Sequence, residues 1–310
     1  MIAHICLDNG LTCLGNFDDT QHHAVIKDYT ILGDLASSDL DRGEIQVFFI
    51  RMKNLALVVA LLCVLGTQAA PDRSQRVING QVSTNQPYNV YILYLNQNNA
   101  GFYGGGSIIS TRHVLTAAQI ILGFVRWDIG MGSNVFAQLS MVTSYQATSH
   151  PLFNSANKAN DIGIITLPVT LTFTASIAPV RLPALNSQEI NLLPLDNEQG
   201  TVVGYGYTSS ISTTRSDYLM VSYQRVTVSN RCQQFYQITL PQHFCAENTI
   251  DYSNICNGDL GAGLVTDVRG TPTVTGIASL ITQSCSNVSP SGYTRVQYYK
   301  QWITSVTGIQ

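Results

Sequence analysis

An eight-residue stretch, Cys256 to Gly263, restricts what this chain can be more than any other part of it. It reads Cys-Asn-Gly-Asp-Leu-Gly-Ala-Gly, so three glycines surround a central Asp-Leu pair. The side chain of Leu260 has no ionisable or hydrogen-bonding atom. It can therefore neither attack a carbonyl carbon nor exchange a proton with a base. Whatever chemistry this loop supports, Leu260 is not its nucleophile.

The same stretch resembles the active-site loop of the chymotrypsin/trypsin family of serine proteases (peptidase S1), which runs Cys-x-Gly-Asp-Ser-Gly-Gly-Pro. Cys256, Gly258, Asp259 and Gly261 match that pattern. Leu260 stands where the family has its nucleophilic serine. The resemblance implies that the N–H group of Gly258 belongs to the oxyanion hole, the set of donors that stabilises the negative oxygen formed during peptide hydrolysis.

A second segment, Val114 to Ile120, resembles the family's Leu-Thr-Ala-Ala-His-Cys. Gln119 stands in place of the general-base histidine, and a glutamine amide has no useful basicity near neutral pH. Ile120 replaces a family cysteine, and Gly104 replaces the disulfide partner of that cysteine. Both halves of this bridge are therefore missing together.

A third segment, Asn160 to Leu167, resembles the family's Asn-Asp-Ile-Ala-Leu-Ile and supplies Asp161, the remaining member of the catalytic triad. The triad-equivalent positions are Gln119, Asp161 and Leu260, so no complete triad is present. Loss of the serine or the histidine alone reduces turnover about a million-fold. We predict that Asp161 is partly buried and accepts a hydrogen bond from the Gln119 side-chain nitrogen, because a buried carboxylate needs donors.

The resemblance also assigns the primary specificity pocket. Asn254 occupies its base, where trypsins carry an aspartate. Ser279 and Ile281 are the other pocket-equivalent residues, and Ile281 replaces a glycine that leaves room for the substrate backbone. The implied binding cleft is thus altered together with the triad.

The matches follow the family order from Val77 to the C-terminus, which implies an all-β fold of two packed antiparallel six-stranded β-barrels with a C-terminal helix. Composition agrees, because only 11% of the residues are charged while strand and turn formers are plentiful. We predict a strand at 88–95, a turn at the glycines 104–106 that leads into another strand, and a helix at 298–309. An apolar helix face is expected from residues at spacings of three and four: Tyr299, Trp302, Ile303 and Val306.

The first 76 residues carry no such match. Residues 52–70 combine a basic start, a short apolar run and small residues at the end, which is typical of a secretory signal peptide. The apolar run is short for a membrane anchor. Residues 1–51 are then an unexplained leader, which we interpret as a gene-model artefact; the alternative is a type II membrane arrangement with a cytoplasmic leader. Residues 71–76 form a short propeptide, and 77–310 the protease-like domain.

Arg76 and Val77 resemble the activation site of the family. Cleavage there frees a new amino terminus, which pairs with an aspartate at the position of Asp259. Signal removal leaves four cysteines in an oxidising, extracellular compartment, and sequence alone permits three pairings. The resemblance selects two disulfides: Cys232–Cys245 and Cys256–Cys285.

Two classes of function remain open. The first is a secreted, catalytically inactive homologue that binds, as a monomer, an extracellular protein or a component of a protease cascade. The second is an active secreted digestive-type serine endopeptidase, which family resemblance alone suggests. From Val77 onward 10 Lys+Arg balance 10 Asp+Glu, which argues against a nucleic-acid or anionic-membrane partner. No His/Cys cluster has metal-ligand spacing and no motif indicates a cofactor, so we expect neither.

Overall fold

The computed structural model describes residues 80–310 apart from 85, 185–192, 209–213, 237–241, 249, 251, 283–284 and 286–287. The chain divides into two units, Met1–Asp72 and Arg73–Gln310, and every described residue belongs to the second. The predicted leader, signal peptide, propeptide and cleavage site at Arg76 and Val77 lie outside the described residues. Within the described part, no helix is long and apolar enough to cross a membrane.

The described residues form fourteen strands and two α-helices, and every pairing between strands is antiparallel. In chain order the strands are β1 Gln81–Val82, β2 Asn89–Leu95, β3 Gly101–Ile108, β4 His113–Thr116, β5 Arg126–Met131, β6 Ser140–Ser144, β7 Gln146–Ser149, β8 Gly163–Thr166, β9 Gln199–Gly204, β10 Met220–Val226, β11 His243–Glu247, β12 Gly263–Val268, β13 Thr271–Leu280 and β14 Ser291–Arg295. The helices are α1 Ser229–Tyr236 and α2 Lys300–Thr307.

Two barrel-like sheets contain all of these strands. The first has the order β6-β5-β2-β3-β4-β8-β7, and the second has the order β1-β10-β11-β14-β13-β12-β9 with β9 also paired to β10. The predicted fold of two antiparallel barrels is confirmed. Each sheet has seven strands rather than six. In the second sheet the count includes β1, which is only two residues long, and in the first sheet a bend divides β6 from β7. At that bend Ser144 Oγ accepts the N–H of Gln146 and donates to the carbonyl of Thr166.

The glycines 104–106 lie inside β3, so the predicted turn at this position is wrong. They permit a close approach between the two sheets rather than a reversal of the chain. A Cβ atom on Gly105 would lie 3.0 Å from the Cβ atom of Ala262, which precedes β12. The three glycines in the sequence therefore indicate close packing between the two sheets and not a turn.

One apolar cluster joins the two sheets. It includes Tyr91 of β2, Ile164 of β8, Val203 of β9 and Val274 of β13, all buried. Helix α2 packs on the same cluster through the predicted face, in which Tyr299 and Ile303 are buried and Trp302 and Val306 are partly buried. The predicted C-terminal helix is confirmed, with a 3₁₀ turn at Val296–Tyr299 before it.

Both predicted disulfides are confirmed. Cys232–Cys245 connects α1 to β11. Cys256–Cys285 fixes the beginning of the Cys256–Gly263 stretch. Each bridge closes a loop in the unfolded chain and stabilises the fold by about 3 kcal/mol in the chain-entropy treatment.

Candidate functional site

Asp161 precedes β8 and is completely buried between the two sheets. Its carboxylate accepts hydrogen bonds from the backbone N–H of Gln119 at 2.9 Å and from Ser279 Oγ at 2.5 Å. Burial raises the pKa of Asp161 from 3.8 to about 6, while these hydrogen bonds act in the opposite direction. The desolvation of the charged form outweighs the donors that surround it.

Gln119 lies in the 3₁₀ turn Ala118–Ile120 and connects the two sheets. Its Nε2 atom donates to Asp161 Oδ2 at 2.6 Å and to the carbonyl oxygen of Ser279 at 3.0 Å. The predicted contact between Gln119 and Asp161 is therefore present. Both acceptors lack a proton to donate, which fixes the orientation of the amide. Both amide hydrogens are committed, and the group offers no base.

Asp259 is also buried, on the inner side of the Cys256–Gly263 stretch. Its Oδ1 accepts the N–H of Gly206 at 2.9 Å and its Oδ2 accepts the N–H of Cys256 at 3.0 Å. Burial raises the pKa of Asp259 from 3.8 to about 6, with the two backbone donors opposing it. No cation of the described residues forms an ion pair with this carboxylate.

Gly258 and Leu260 flank Asp259 and are half-buried. Gly258 has a φ of +95°, and the ring of Tyr103 packs so closely against it that a Cβ atom would collide with the ring. Only glycine combines this backbone conformation with that contact. The carbonyl oxygen of Leu260 accepts the N–H of Gly105 at 2.8 Å, which attaches the loop to β3.

The missing disulfide has a structural counterpart at Gly104. A Cβ atom on Gly104 would lie 2.6 Å from the carbonyl oxygen of Leu260 and 3.5 Å from the side chain of Ile120. The backbone of Leu260 thus uses the space that a side chain at position 104 would need. A side chain at position 104 would therefore require the carbonyl group of Leu260 to move.

A Gly104→Ala variant is expected to be destabilised by about 1–3 kcal/mol, because its methyl group meets a backbone oxygen that cannot rotate away. Gly101→Ala, in the same strand, is the matched control, since its Cβ would lie 3.4 Å from the flexible Leu93 side chain. Urea denaturation of both variants measures the difference. Equal stabilities would show that the loop moves freely at Leu260.

The specificity-pocket-equivalent residues are committed to protein contacts. Asn254 is buried; its Nδ2 donates to the carbonyl of Ser289 at 2.7 Å, and its Oδ1 accepts from Ser291 Oγ at 2.6 Å. Ser279 is engaged with Asp161. Ile281 is partly buried and packs against an apolar cluster of the second sheet. The base of this region is therefore uncharged.

Two residues of this region were not among the candidate site residues predicted from the sequence. Tyr103 covers Gly258 and lies 5.8 Å, between ring centroids, from Tyr207. His243 is buried with Nε2 3.4 Å from Ser279 Oγ, and burial lowers the pKa of His243 to about 4. Tyr103 directly precedes the matched glycine 104, so its position was available from the motif, whereas His243 lies outside every matched segment.

Among the residues that the structure describes, no group of three His, Cys, Asp or Glu side chains could hold a metal ion.

Comparison with known proteins gives consistent matches. The family model for trypsin matches residues 77–303. The chain is 33% identical over 243 residues to a chymotrypsin from Phaedon cochleariae, covering 76% of this chain and 84% of the relative. It is 30% identical over 243 residues to a collagenase from Hypoderma lineatum, covering 76% and 89%. It is 32% identical over 216 residues to brachyurin from Leptuca pugilator, covering 67% and 89%. A solved structure of HL collagenase superposes with a TM-score of 0.68 at 30% identity, covering 76% of this chain and 100% of that one.

Proposed function

This chain belongs to the trypsin family of serine proteases, and we propose that it is a secreted member that no longer cleaves peptides and acts by binding. The observation that carries the proposal is the pair Leu260 and Gln119 at the nucleophile and base positions. Peptide hydrolysis by this fold needs an oxygen nucleophile and a proton acceptor within hydrogen-bond reach of each other. The side chain of Leu260 has no such oxygen, and both hydrogens of the Gln119 amide are held by Asp161 and Ser279.

The proposed mode of action is association with an extracellular protein or with a component of a protease cascade. The protein would use the surface around the former active site, because the supporting parts of that site are retained. Asp161 still has its donors from Ser279 and from the backbone of Gln119. The disulfides support secretion, since such bonds persist in oxidising compartments.

Cleavage after Arg76 is proposed as a switch on this surface. The freed ammonium group of Val77 would pair with Asp259, which is buried against two backbone donors and whose pKa is raised by that burial. A buried ion pair is stable only if its geometry offsets desolvation. Such a pair would tighten the loop that carries Gly258 and Leu260 and thereby change its outer face.

The second candidate is an active digestive-type endopeptidase. It is favoured by relatives named chymotrypsin and collagenase and by the retained Asp161. It requires a nucleophile other than residue 260 and a base other than residue 119. The ring of His243 contacts Ser279, with Nε2 3.4 Å from Oγ, but His243 is buried and burial lowers its pKa.

Reaction with a fluorophosphonate probe separates the two candidates. The secreted protein, both intact and cleaved after Arg76, is expected to remain unlabelled and to release no product from chromogenic peptides. Chymotrypsin treated in parallel is the positive control for the probe. Labelling of any serine between Cys256 and Leu280, mapped by mass spectrometry, would contradict the proposal.

A further inference from the structure

A groove of about 960 Å³ opens beside strand β10 in the second sheet. Apolar side chains line it, among them Tyr88, Val180, Tyr223 and Val265. Tyr223 and Ile250 of the same groove are 52% and 82% exposed, and exposed apolar surface of this kind marks interaction sites. None of the described residues that line the groove is a triad-equivalent or pocket-equivalent residue. The groove is therefore separate from the site described above.

One edge of β10 is uncovered between two neighbouring strands. β9 pairs with the opposite edge along Met220–Arg225. On the uncovered edge, the pairing with β1 reaches only as far as Val221, and the pairing with β11 starts only at Arg225. Among the described residues, no strand covers 222–224 on this edge, which leaves a gap of three residues.

The backbone of Tyr223 faces this gap. In an antiparallel ladder every second residue directs both its N–H and its C=O to the same neighbouring strand. The N–H of Ser83 donates to the carbonyl of Leu219 at 2.8 Å, so Leu219, Val221 and Tyr223 point to the side of β1. On that side the N–H and C=O of Tyr223 have no partner among the described residues. The gap therefore offers one donor and one acceptor to an incoming strand.

The chain itself leads into the gap from β1. The register pairs Gln81 with Val221, so two further residues in the same register place Asn79 opposite Tyr223. Gln81 also lines the groove. Gly80, the first described residue, is buried although both residues of β1 are exposed. A buried Gly80 indicates that the chain runs against the protein at this point and not into solvent.

The residues that precede Gly80 suit this position. Val77 and Ile78 are β-branched, so they favour strands and are stabilised by burial against an apolar surface. Arg225 is already paired with β11, so an extended β1 can continue through Asn79 and Ile78 before the chain must leave the sheet. The residues before Ile78 would then lie over the groove.

We propose that, before cleavage after Arg76, residues 73–79 occupy this groove as an extension of β1, with Asn79 hydrogen-bonded to Tyr223. The segment is tethered at Gln81, and a short tether raises its effective concentration, so a weak contact is enough to keep it docked. The occupant is therefore a part of the chain that is present at the groove from the outset.

Cleavage would empty the groove. It separates the residues before Val77 from the domain, and the proposed pairing of Val77 with Asp259 draws the remaining residues away from β10. This step rests on the proposed function, in which the same cut acts as a switch. Tyr223 and Ile250 would then become available to an extracellular protein with a complementary apolar surface.

Amide-resolved hydrogen exchange on the uncleaved protein tests the proposal. Arg76→Gln keeps the chain uncut, and Asn79→Pro in the same background removes the donor opposite Tyr223 and disrupts the extended ladder. The Tyr223 amide is expected to exchange at least about fivefold faster in the Asn79→Pro chain, the factor for losing about one net hydrogen bond. The amides of Val221 and Arg225, which β1 and β11 cover, should exchange at the same rate in both chains.

Gln75→Pro lies outside the extended strand and is the matched control, which should leave the Tyr223 amide protected. Cleavage of the unsubstituted protein after Arg76 should raise the Tyr223 rate to that of the Asn79→Pro chain. Equal Tyr223 rates with and without Asn79→Pro would overturn the docking, and protection that persists after cleavage would overturn the release. Protection of the Asn79→Pro chain that grows with protein concentration would assign the groove to a second copy of the chain and also overturn the proposal. None of these results depends on Gln119 or Leu260, so they fail separately from the expected absence of fluorophosphonate labelling.

Discussion

A Gln119→His/Leu260→Ser double variant is expected to react with a fluorophosphonate probe, whereas neither single variant does. The single Leu260→Ser chain gains an oxygen but has no base, and the single Gln119→His chain gains a base but has no nucleophile. In active triads, loss of either member reduces turnover about a million-fold, and the losses are not additive. The gain should therefore be cooperative, with at least about a thousandfold difference in labelling rate between the double and either single variant.

The physical basis of this expectation is the retained support around the missing pair. Asp161 is already fixed by Ser279 and by the backbone of Gln119, in position to orient an imidazole at residue 119. The donors of Gly258 and Leu260 remain unpaired in the described structure. Adding Asp161→Asn to the double variant is the control and should abolish labelling. Labelling of Leu260→Ser alone would mean that another residue serves as the base.

Asp259→Asn is expected to change the pH dependence of stability in opposite ways before and after cleavage at Arg76. In the intact chain burial raises the pKa of Asp259 to about 6, so the folded state favours its protonated form. The stability contributed by this group is full below about pH 4 and is lost as the pH rises through 6. A shift of about two pKa units corresponds to about 3 kcal/mol. Relative to the unsubstituted protein, the intact variant should gain that amount between pH 4 and pH 7.

Cleavage supplies the ammonium group of Val77, which would lower the pKa of Asp259 and stabilise its charged form. In the cleaved protein, the stability of the Asp259→Asn variant relative to the unsubstituted protein should then no longer rise with pH, or should fall. Asparagine can accept from only one of the two donors, Gly206 and Cys256, so the variant also carries a loss of stability that is the same at every pH. That offset does not depend on pH and does not affect the comparison.

Urea unfolding of both proteins, intact and cleaved, at several pH values between 4 and 7 with the disulfides oxidised measures these changes. His243, whose pKa burial lowers to about 4, opposes the Asp259 effect, because its stability contribution rises with pH between about 4 and 6.5. It is present in both proteins and cancels in the difference. Asp161→Asn is the matched control and should behave alike before and after cleavage. Identical pH dependence in all forms would remove Asp259 as a switch.

The barrels, the disulfides and the contact between Gln119 and Asp161 are predicted through the resemblance to the trypsin family, because the matched motifs imply which segments meet. The prediction from the local sequence fails at Gly104 to Gly106, where glycine was interpreted as a turn signal. In the structure those residues lie within β3 and admit Ala262 and the backbone of Leu260. A local pattern cannot distinguish a glycine that reverses the chain from one that lets another segment approach.

Tyr103 and His243 illustrate the same limit for the candidate site. Their importance arises from contacts with residues far away in sequence, namely Gly258 for Tyr103 and Ser279 for His243. Neither the types of these residues nor their spacing in the sequence predicts such contacts. The sequence shows that the family's serine and histidine are replaced, and the structure shows what surrounds Leu260 and Gln119 at those positions.

Because of where the cysteines lie, a thiol reductant would break covalent bonds in only one half of the molecule. All four bridged cysteines follow residue 231, and the strands of the first sheet, β2 to β8, contain none. Reduction would leave the half that carries Gln119 and Asp161 without a broken covalent bond. On the opposite side it would release Cys256, two residues before Gly258. The surface proposed to bind partners would therefore respond to the redox state of its surroundings through one of its two sides.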